Sequence, residues 1–356
     1  MPWEMPRYSL RKVRRAGEIL AFEEHPDTGR LLGEKPDPRP VLRWLAAEAI
    51  FNNWRAAHAY PLNTFQVTLR GRAHRVDPDA LTAQRLKRAP SMLAKLKRFP
   101  GMNLDRMQDI GGCRAIVSEL GALEELTYQY QNSRSRHELV GQKDYVREPK
   151  DDGYRGIHLV YRYTGRGASA AYDGLRIEIQ LRTKIQHAWA TAVETVGLFQ
   201  GEAFKAGEGN ARWLEFFRLA SEAFASMEMA SWPADRPLEE IQEELMPLVL
   251  ELDVLRRLRG YSETLERAEV DGIANSYLLE LDLQADRLQV RSFMKNEGER
   301  ARAAYVEAEA RMGASGDVVL VAVSDAAALQ RAFPNYFADT RLFLDTLRTA
   351  LQWDGG

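Results

Sequence analysis

The chain has 356 residues, with 49 Lys plus Arg against 51 Asp plus Glu and a formal net charge of −2. That length predicts two domains or slightly more, and the charge balance excludes a protein that grips polyanions with its whole surface, leaving only local basic patches for such contacts. The single cysteine, Cys113 in GGCRAIV, excludes an internal disulfide and a cysteine-ligated zinc site, and reads as a small buried residue of a strand.

In chain order, Ser9 is an N-cap for a basic helix over 8–24. The opening MPWEMPRYSLRKVRRAGEIL carries charges and lacks the ~7–15 apolar residues of a secretory signal, and no later run approaches the ~18–20 of a membrane span. A cytoplasmic chain with no membrane partner is expected. HPDTGR and KPDPRP are rich in turn residues. Residues 40–58 form an amphipathic helix with Leu42, Leu45, Ala46 and Ile50 on one face, and 63–75 fit helix or strand equally.

From residue 80 the elements alternate. A helix is expected over 91–98, a strand at CRAIV (113–117), a helix over 119–133, strands at HELVGQKDYV, IHLVYRYT and LRIEIQLRT, and a helix over 184–199. This pattern predicts an α+β fold, a mixed sheet flanked by helices. Residues 207–272 read as helical, with breaks at Pro233, Pro237 and Pro247. YLLELDLQADRLQVRSF reads as two strands around a polar turn; a helix over 297–311, the run VVLVAV and a helix over 325–351 complete a ββαβα order. The expected organisation is an N-terminal helix and linker (1–39), a catalytic domain (40–200), a helical segment (201–274) and a small C-terminal ββαβα domain (275–356).

Chemistry-bearing residues concentrate between 85 and 194. On the strand IEIQLRT, Glu178, Gln180 and Arg182 share one face and Ile177, Ile179 and Leu181 the other. Asp109 precedes a glycine pair and a strand that carries Arg114. Two carboxylates on neighbouring strands suit Mg²⁺, which takes oxygen ligands and shares substrate phosphates. Arg85 and Lys87 lie two apart; Ser91, Lys95 and Arg98 follow helical spacing near a helix start, where free N–H groups favour anions. Tyr154, after Gly153, is expected to be exposed at a loop end, where with Lys143 and Lys150 it offers a base platform beside cations. His187, Thr191 and Glu194 fall on one helical face. Each piece alone also has an ordinary structural reading: a salt bridge, a solvated helix face, a packing tyrosine.

Taken together, the run R-x-K-x3-S-x3-K (Arg85, Lys87, Ser91, Lys95), then D-x2-G-x-R (Asp109, Gly112, Arg114), then K-D-Y-x3-P-K-x2-G-Y-x3-H (Lys143 to His158), then E-x-Q-x-R-T-x3-H (Glu178 to His187) resembles the synthetase domain of the RelA/SpoT family. The resemblance implies a nucleotidyltransferase-like fold and transfer of the β,γ-pyrophosphate of ATP to the 3′-hydroxyl of GDP or GTP, giving (p)ppGpp. It implies Mg²⁺ on Asp109 and Glu178, the latter also helping to deprotonate the acceptor. Arg85 and Arg114 would sandwich the adenine, and Lys87, Ser91, Lys95 and Arg98 would hold the ATP phosphates. Tyr154 would stack on the guanine, with Lys143, Lys150, His158, Gln180 and His187 around the acceptor. Departures from the family pattern are Asp152 before Gly153-Tyr154, Gly156 before Ile157-His158, and Glu194-Thr195. None of the six histidines precedes an Asp, so the His-Asp pair of the family's hydrolase domain is missing and no hydrolase activity is expected. Two alternatives stand beside this reading. One is a toxin, of a toxin–antitoxin or phage-defence system, that pyrophosphorylates the tRNA 3′ end, its tRNA met by Arg7, Arg11, Lys12, Arg14 and Arg15. The other is a non-catalytic nucleotide-binding regulator. A homo-oligomer is compatible with all three.

Overall fold

Apolar alternation along LRIEIQLRT and GGCRAIV places two strands side by side at the middle of a sheet, and helices close over its apolar face. The computed structural model describes residues 3–25, 38–200, 209–228, 236–264, 266–267, 276–282, 287–312, 316–321 and 340–353. Three helices come first: α1 (Leu10–Phe22), α2 (Pro38–Ala57) and α3 (Ala59–Val76). Ser9 caps α1, its side chain accepting from the Lys12 N–H at 3.5 Å. The ambiguous stretch 63–75 is helical because Phe65, Leu69 and Ala73 recur at spacing four and bury on the sheet.

The larger sheet contains β1 (Leu81–Leu86), β2 (Gly111–Val117), β3 (Glu138–Asp144), β4 (Ile157–Arg162) and β5 (Arg176–Thr183), in the order β1-β2-β5-β4-β3. Only the β2–β5 pair is parallel, so the sheet is mixed. Helices α4 (Ala89–Arg98) and α5 (Leu120–Gln131) follow β1 and β2. Leu159, Ile177, Ile179 and Leu181 are fully buried in one core with Leu69, Leu123 and Leu126. Cys113 belongs to this core, and burial pushes its thiol upward.

A second, helical layer follows: α6 (Lys184–Gln200), α7 (Ala211–Glu228), α8 (Leu238–Glu251) and α9 (Val254–Thr264). Then come β6 (Glu266–Arg267), β7 (Ser276–Asp282), β8 (Arg287–Phe293), α10 (Gly298–Met312) and β9 (Gly316–Val321), with a small sheet ordered β6-β8-β7-β9. The last described helix, α11 (Arg341–Ala350), packs on α6, α7 and α9. Phe343, Leu344 and Leu347 enter the core of α6–α9 beside Trp213, Phe216 and Phe224. The expected turn at 283–286, the break at Pro233 and the start of the 325–351 helix lie outside the described residues.

The face expected for α2 is corrected. Leu42 and Leu45 are exposed, and Ala47, Phe51, Trp54 and Arg55 are buried. The helix is apolar on more than one side, and contact with its neighbours, not composition, selects the buried stripe. Among the described residues no helix is long and apolar enough to cross a membrane.

Candidate active site

Strand register assembles the site. Gly112 on β2 pairs with Arg85 on one side and with Glu178 on the other. Arg114 pairs with Gln180, Gln180 with His158, and His158 with Lys143. Residues two apart and residues directly opposite share a face, so Arg85, Arg114, Glu178, Gln180, His158 and Lys143 form one polar surface opposite the apolar core. Arg85 and Arg114 are diagonal neighbours on adjacent strands, close enough for two guanidinium planes to flank a flat ring.

At the middle of this surface is a cavity of about 80 Å³, lined by Arg85, Lys87, Asp109, Arg114, Glu178 and Gln180 among others. Gly112 forms part of its wall. Asp109 enters from the loop before β2. Its Oδ2 accepts from Lys87 Nζ at 3.0 Å and Lys95 Nζ at 2.9 Å, whereas its Oδ1 is buried and, among the described residues, accepts no hydrogen bond. Burial opposes the charge on Asp109, but the two ammonium groups outweigh it and hold the carboxyl below its ordinary value. Glu178 accepts from His158 Nδ1 at 3.0 Å on Oε1 and from Gln180 Nε2 at 2.7 Å on Oε2. Burial and the neighbouring Asp109 charge push its carboxyl up, yet His158 and Gln180 keep it below the ordinary value. Two ionised carboxylates thus face one polar cavity.

Tyr154 corrects an expectation. It is buried, not exposed: its ring enters the core of the helical layer, edge-on to Trp189. Arg182 donates to its hydroxyl from Nε at 3.1 Å and Nη2 at 2.8 Å. The phenol oxygen therefore accepts twice, and its own proton goes to His158 Nε2, 2.6 Å away. That fixes the imidazole tautomer, leaving Nδ1–H to donate to Glu178. A relay runs from Arg182 through Tyr154 and His158 to the carboxylate. Gly156 makes room for it with φ +148°, and a Cβ there would meet Tyr154 Oη and Arg182 Cγ, both at 3.2 Å.

The remaining candidates are placed as follows. Ser91 and Lys95 are half-buried on α4, and Arg98, at its exposed end, lies 5.5 Å from the Phe99 ring centroid. Lys143 is exposed on β3 opposite His158. Lys150 Nζ lies 4.8 Å from the ring centroids of both Tyr145 and Tyr154, and Tyr145, half-exposed, is the more accessible of the two rings. His187 is buried in α6 and is not brought to the cavity. Arg182 and Tyr145 were missed as site residues. Their signals were the third member of the Glu178–Gln180 alternation and the aromatic of the K-D-Y run. The N-terminal basic stretch is partly neutralised, since Arg7 pairs with Glu4, Arg14 with Asp105, and Arg15 with Glu18 and Glu23.

Residues 84–197 match the family model described as "Region found in RelA / SpoT proteins". The GTP pyrophosphokinase YjbM of Bacillus subtilis (strain 168) is 34% identical over 119 residues, 32% of this chain and 54% of that protein. The GTP pyrophosphokinase YwaC of the same organism is 30% identical over 127 residues, 33% of this chain and 58% of that protein. This chain thus spans little more than half the length of either curated relative. Among solved structures, the small alarmone synthetase 1 of Bacillus subtilis bound to its product pppGpp aligns at 24% identity and a TM-score of 0.41, covering 53% of this chain and 93% of that one. Residues 84–197 of this chain are thus similar to a region found in RelA/SpoT proteins.

Proposed function

We propose that the cavity transfers the β,γ-pyrophosphate of ATP to the 3′-hydroxyl of GDP or GTP. The observation that carries this reading is the convergence of Asp109 and Glu178 on one cavity walled by Arg85, Lys87 and Arg114. Phosphoryl-type transfer needs positioning and charge neutralisation more than covalent chemistry from the protein. Two carboxylates and a cationic wall supply both.

The donor set fits a divalent ion. A buried carboxylate oxygen without a hydrogen bond, Asp109 Oδ1, is costly unless it meets a cation or a donor. Asp109 and Glu178 would hold Mg²⁺, which supplies neutralisation of developing phosphate charge. The chain's own side chains do the rest. Lys87 and Lys95, with Ser91 and Arg98 along α4, present cations and a helix start to a triphosphate. Arg85 and Arg114 flank the adenine. Tyr154 and His158 hold Glu178 in one orientation, and Lys143, Lys150 and Gln180 border the acceptor. Glu178 is kept ionised, which suits a metal ligand and an orienter of the attacking hydroxyl more than a strong base.

The test supplies ATP labelled in the γ-phosphate with GDP, GTP or bulk tRNA. Label is expected on the guanosine nucleotide, with one AMP released per transfer. Label on tRNA alone would replace the acceptor and favour the toxin reading, whereas ATP bound with no AMP formed in any mixture would favour the non-catalytic one. Asp109→Asn and Glu178→Gln are each expected to lower the rate by at least about a hundredfold.

A further inference from the structure

A second polar cavity, of about 340 Å³, lies on the small sheet and shares no lining residue with the cavity on the larger one. Its walls are β7, β8 and the last turn of α10. In the β7–β8 ladder Glu280 pairs with Gln289, Asp282 with Arg287 and Leu278 with Arg291. Alternate residues share a face, so Glu280 and Asp282 on β7 stand with Arg287, Gln289 and Arg291 on β8. At the apolar end of this face α10 packs through Ala301, Tyr305 and Ala308 on Leu278 and Phe293. At the polar end its last turn brings Arg311 and Met312 to the cavity.

Glu280 organises this wall. It is only 4% exposed, and a buried carboxylate is costly unless it is paired. Its Oε1 pairs with Arg291 Nη2 at 2.7 Å and its Oε2 with Arg311 Nη2. The side chains of Arg291 and Arg311 are themselves 42% and 53% exposed. A guanidinium carries five N–H donors, so one contact to Glu280 anchors each fork and leaves donors for a ligand. Arg287, exposed on β8, adds a third fork. Three guanidinium groups and two carboxylates thus surround the cavity, a surplus of one positive charge.

Guanidinium forks match the oxygens of phosphate and carboxylate in bidentate pairs. A phosphomonoester has three acceptor oxygens and a charge of about −1.5 to −2 at neutral pH, which suits three forks better than the two oxygens of a carboxylate. The cavity is larger than a phosphate alone requires and falls at the lower end of the ~300–1,000 Å³ of small-molecule sites. Gln289 and the Asp282 carboxylate border it and can accept from hydroxyl groups. Among the described residues no aromatic ring lines it, so it offers a nucleobase no platform.

We propose that this face of β7 and β8, beside the end of α10, is a binding site for a small phosphorylated sugar or polyol: Arg287, Arg291 and Arg311 hold the phosphate, and Gln289 and Asp282 take the hydroxyls of the body. The site is separate from the pyrophosphate transfer proposed above and does not depend on it.

The experiment is calorimetric titration of the full chain with glucose 6-phosphate, glycerol 3-phosphate, inorganic phosphate, glucose and a phosphoserine tetrapeptide, each with and without the saturating Mg²⁺ complex of α,β-methylene ATP. At least one of the two phosphorylated polyols is expected to bind about tenfold or more tightly than inorganic phosphate, glucose to give no heat, and the ATP analogue to change nothing. Arg287→Gln is expected to weaken that binding about tenfold, the loss of one charged hydrogen-bonding partner, and Gln289→Glu to abolish it by adding a like charge beside the phosphate. Neither variant removes a partner of Glu280, so the wall survives in both. Equal affinity for inorganic phosphate and both polyol phosphates would mean an adventitious ion only and overturn the proposal. Preference for the phosphopeptide would overturn it in favour of a protein partner. No heat from any phosphorylated probe, unchanged affinity in both variants, or loss of binding in the presence of the ATP analogue would each overturn it too, the last two by placing the ligand elsewhere.

Discussion

Glu178 owes its state to neighbours two and twenty positions away. Gln180 and His158 each donate one hydrogen bond, and the Tyr154 hydroxyl, held by Arg182, fixes the tautomer that lets His158 do so. Partners that orient a metal-binding carboxylate commonly contribute ~10–100-fold to affinity or activity. His158→Ala is expected to lower the transfer rate within that range, with circular dichroism and thermal midpoint close to those of the parent. Gly156 is the spatial condition for the relay. Gly156→Ser places a side chain against Tyr154 Oη at a φ that L-residues rarely adopt, and is expected to cost ~1–3 kcal/mol of stability in urea unfolding. A third residue sets a pH response. Burial pushes the Glu228 carboxyl up, against hydrogen bonds from Thr183 and Gln186 and the charge of Arg155. A carboxyl raised in the folded state binds its proton more tightly there than in the unfolded chain. Its neutral form is favoured, and stability falls as pH rises from the ordinary carboxylate range through the folded value. Glu228→Gln is expected to raise the thermal midpoint at about pH 8 and to give no gain at about pH 4; a gain independent of pH would contradict this account of Glu228.

Elements with strong alternation were legible in the sequence, and those chosen by their neighbours were not. Glu178 and Gln180 point together into the cavity because β5 alternates cleanly, and the strand reading of CRAIV holds within β2. β1 was not foreseen as a strand: LTAQRL mixes polar and apolar residues without a clear period, and pairing with β2 makes it extended. The buried stripe of α2 was misread for the related reason that several of its faces are apolar. Tyr154 was expected outside because a glycine precedes it. A guanidinium and an imidazole waiting inside for its hydroxyl reverse that expectation, and neither is visible from local sequence. The final helix illustrates long-range choice too. Its amphipathic pattern shows that it buries one face but not against what, and that partner is α6–α9. Phe343 is fully buried there, so Phe343→Ala is expected to destabilise the chain by ~3–5 kcal/mol. Because α7 also clamps the loop before Tyr154, with Ser221 donating to the Gly153 carbonyl, fluorescence and activity are expected to be lost together on heating this variant.

Across the molecule, the polar face of the larger sheet lies in the part that matches the RelA/SpoT family model, the helical layer buries Tyr154, and the small sheet carries α10 to the start of α4. Charge follows the same division. A nearly neutral chain places Arg85, Lys87 and Arg114 around two carboxylates on one cavity, and Asp109 Oδ1 accepts no hydrogen bond among the described residues. The most direct test is AMP release from ATP in the presence of Mg²⁺ and GDP, followed side by side for the full chain and for Glu178→Gln with equal thermal midpoints. AMP formation that needs GDP and falls at least about a hundredfold in the variant is the expected result. An unchanged rate in Glu178→Gln would mean that the pair Asp109–Glu178 is not where the transfer occurs.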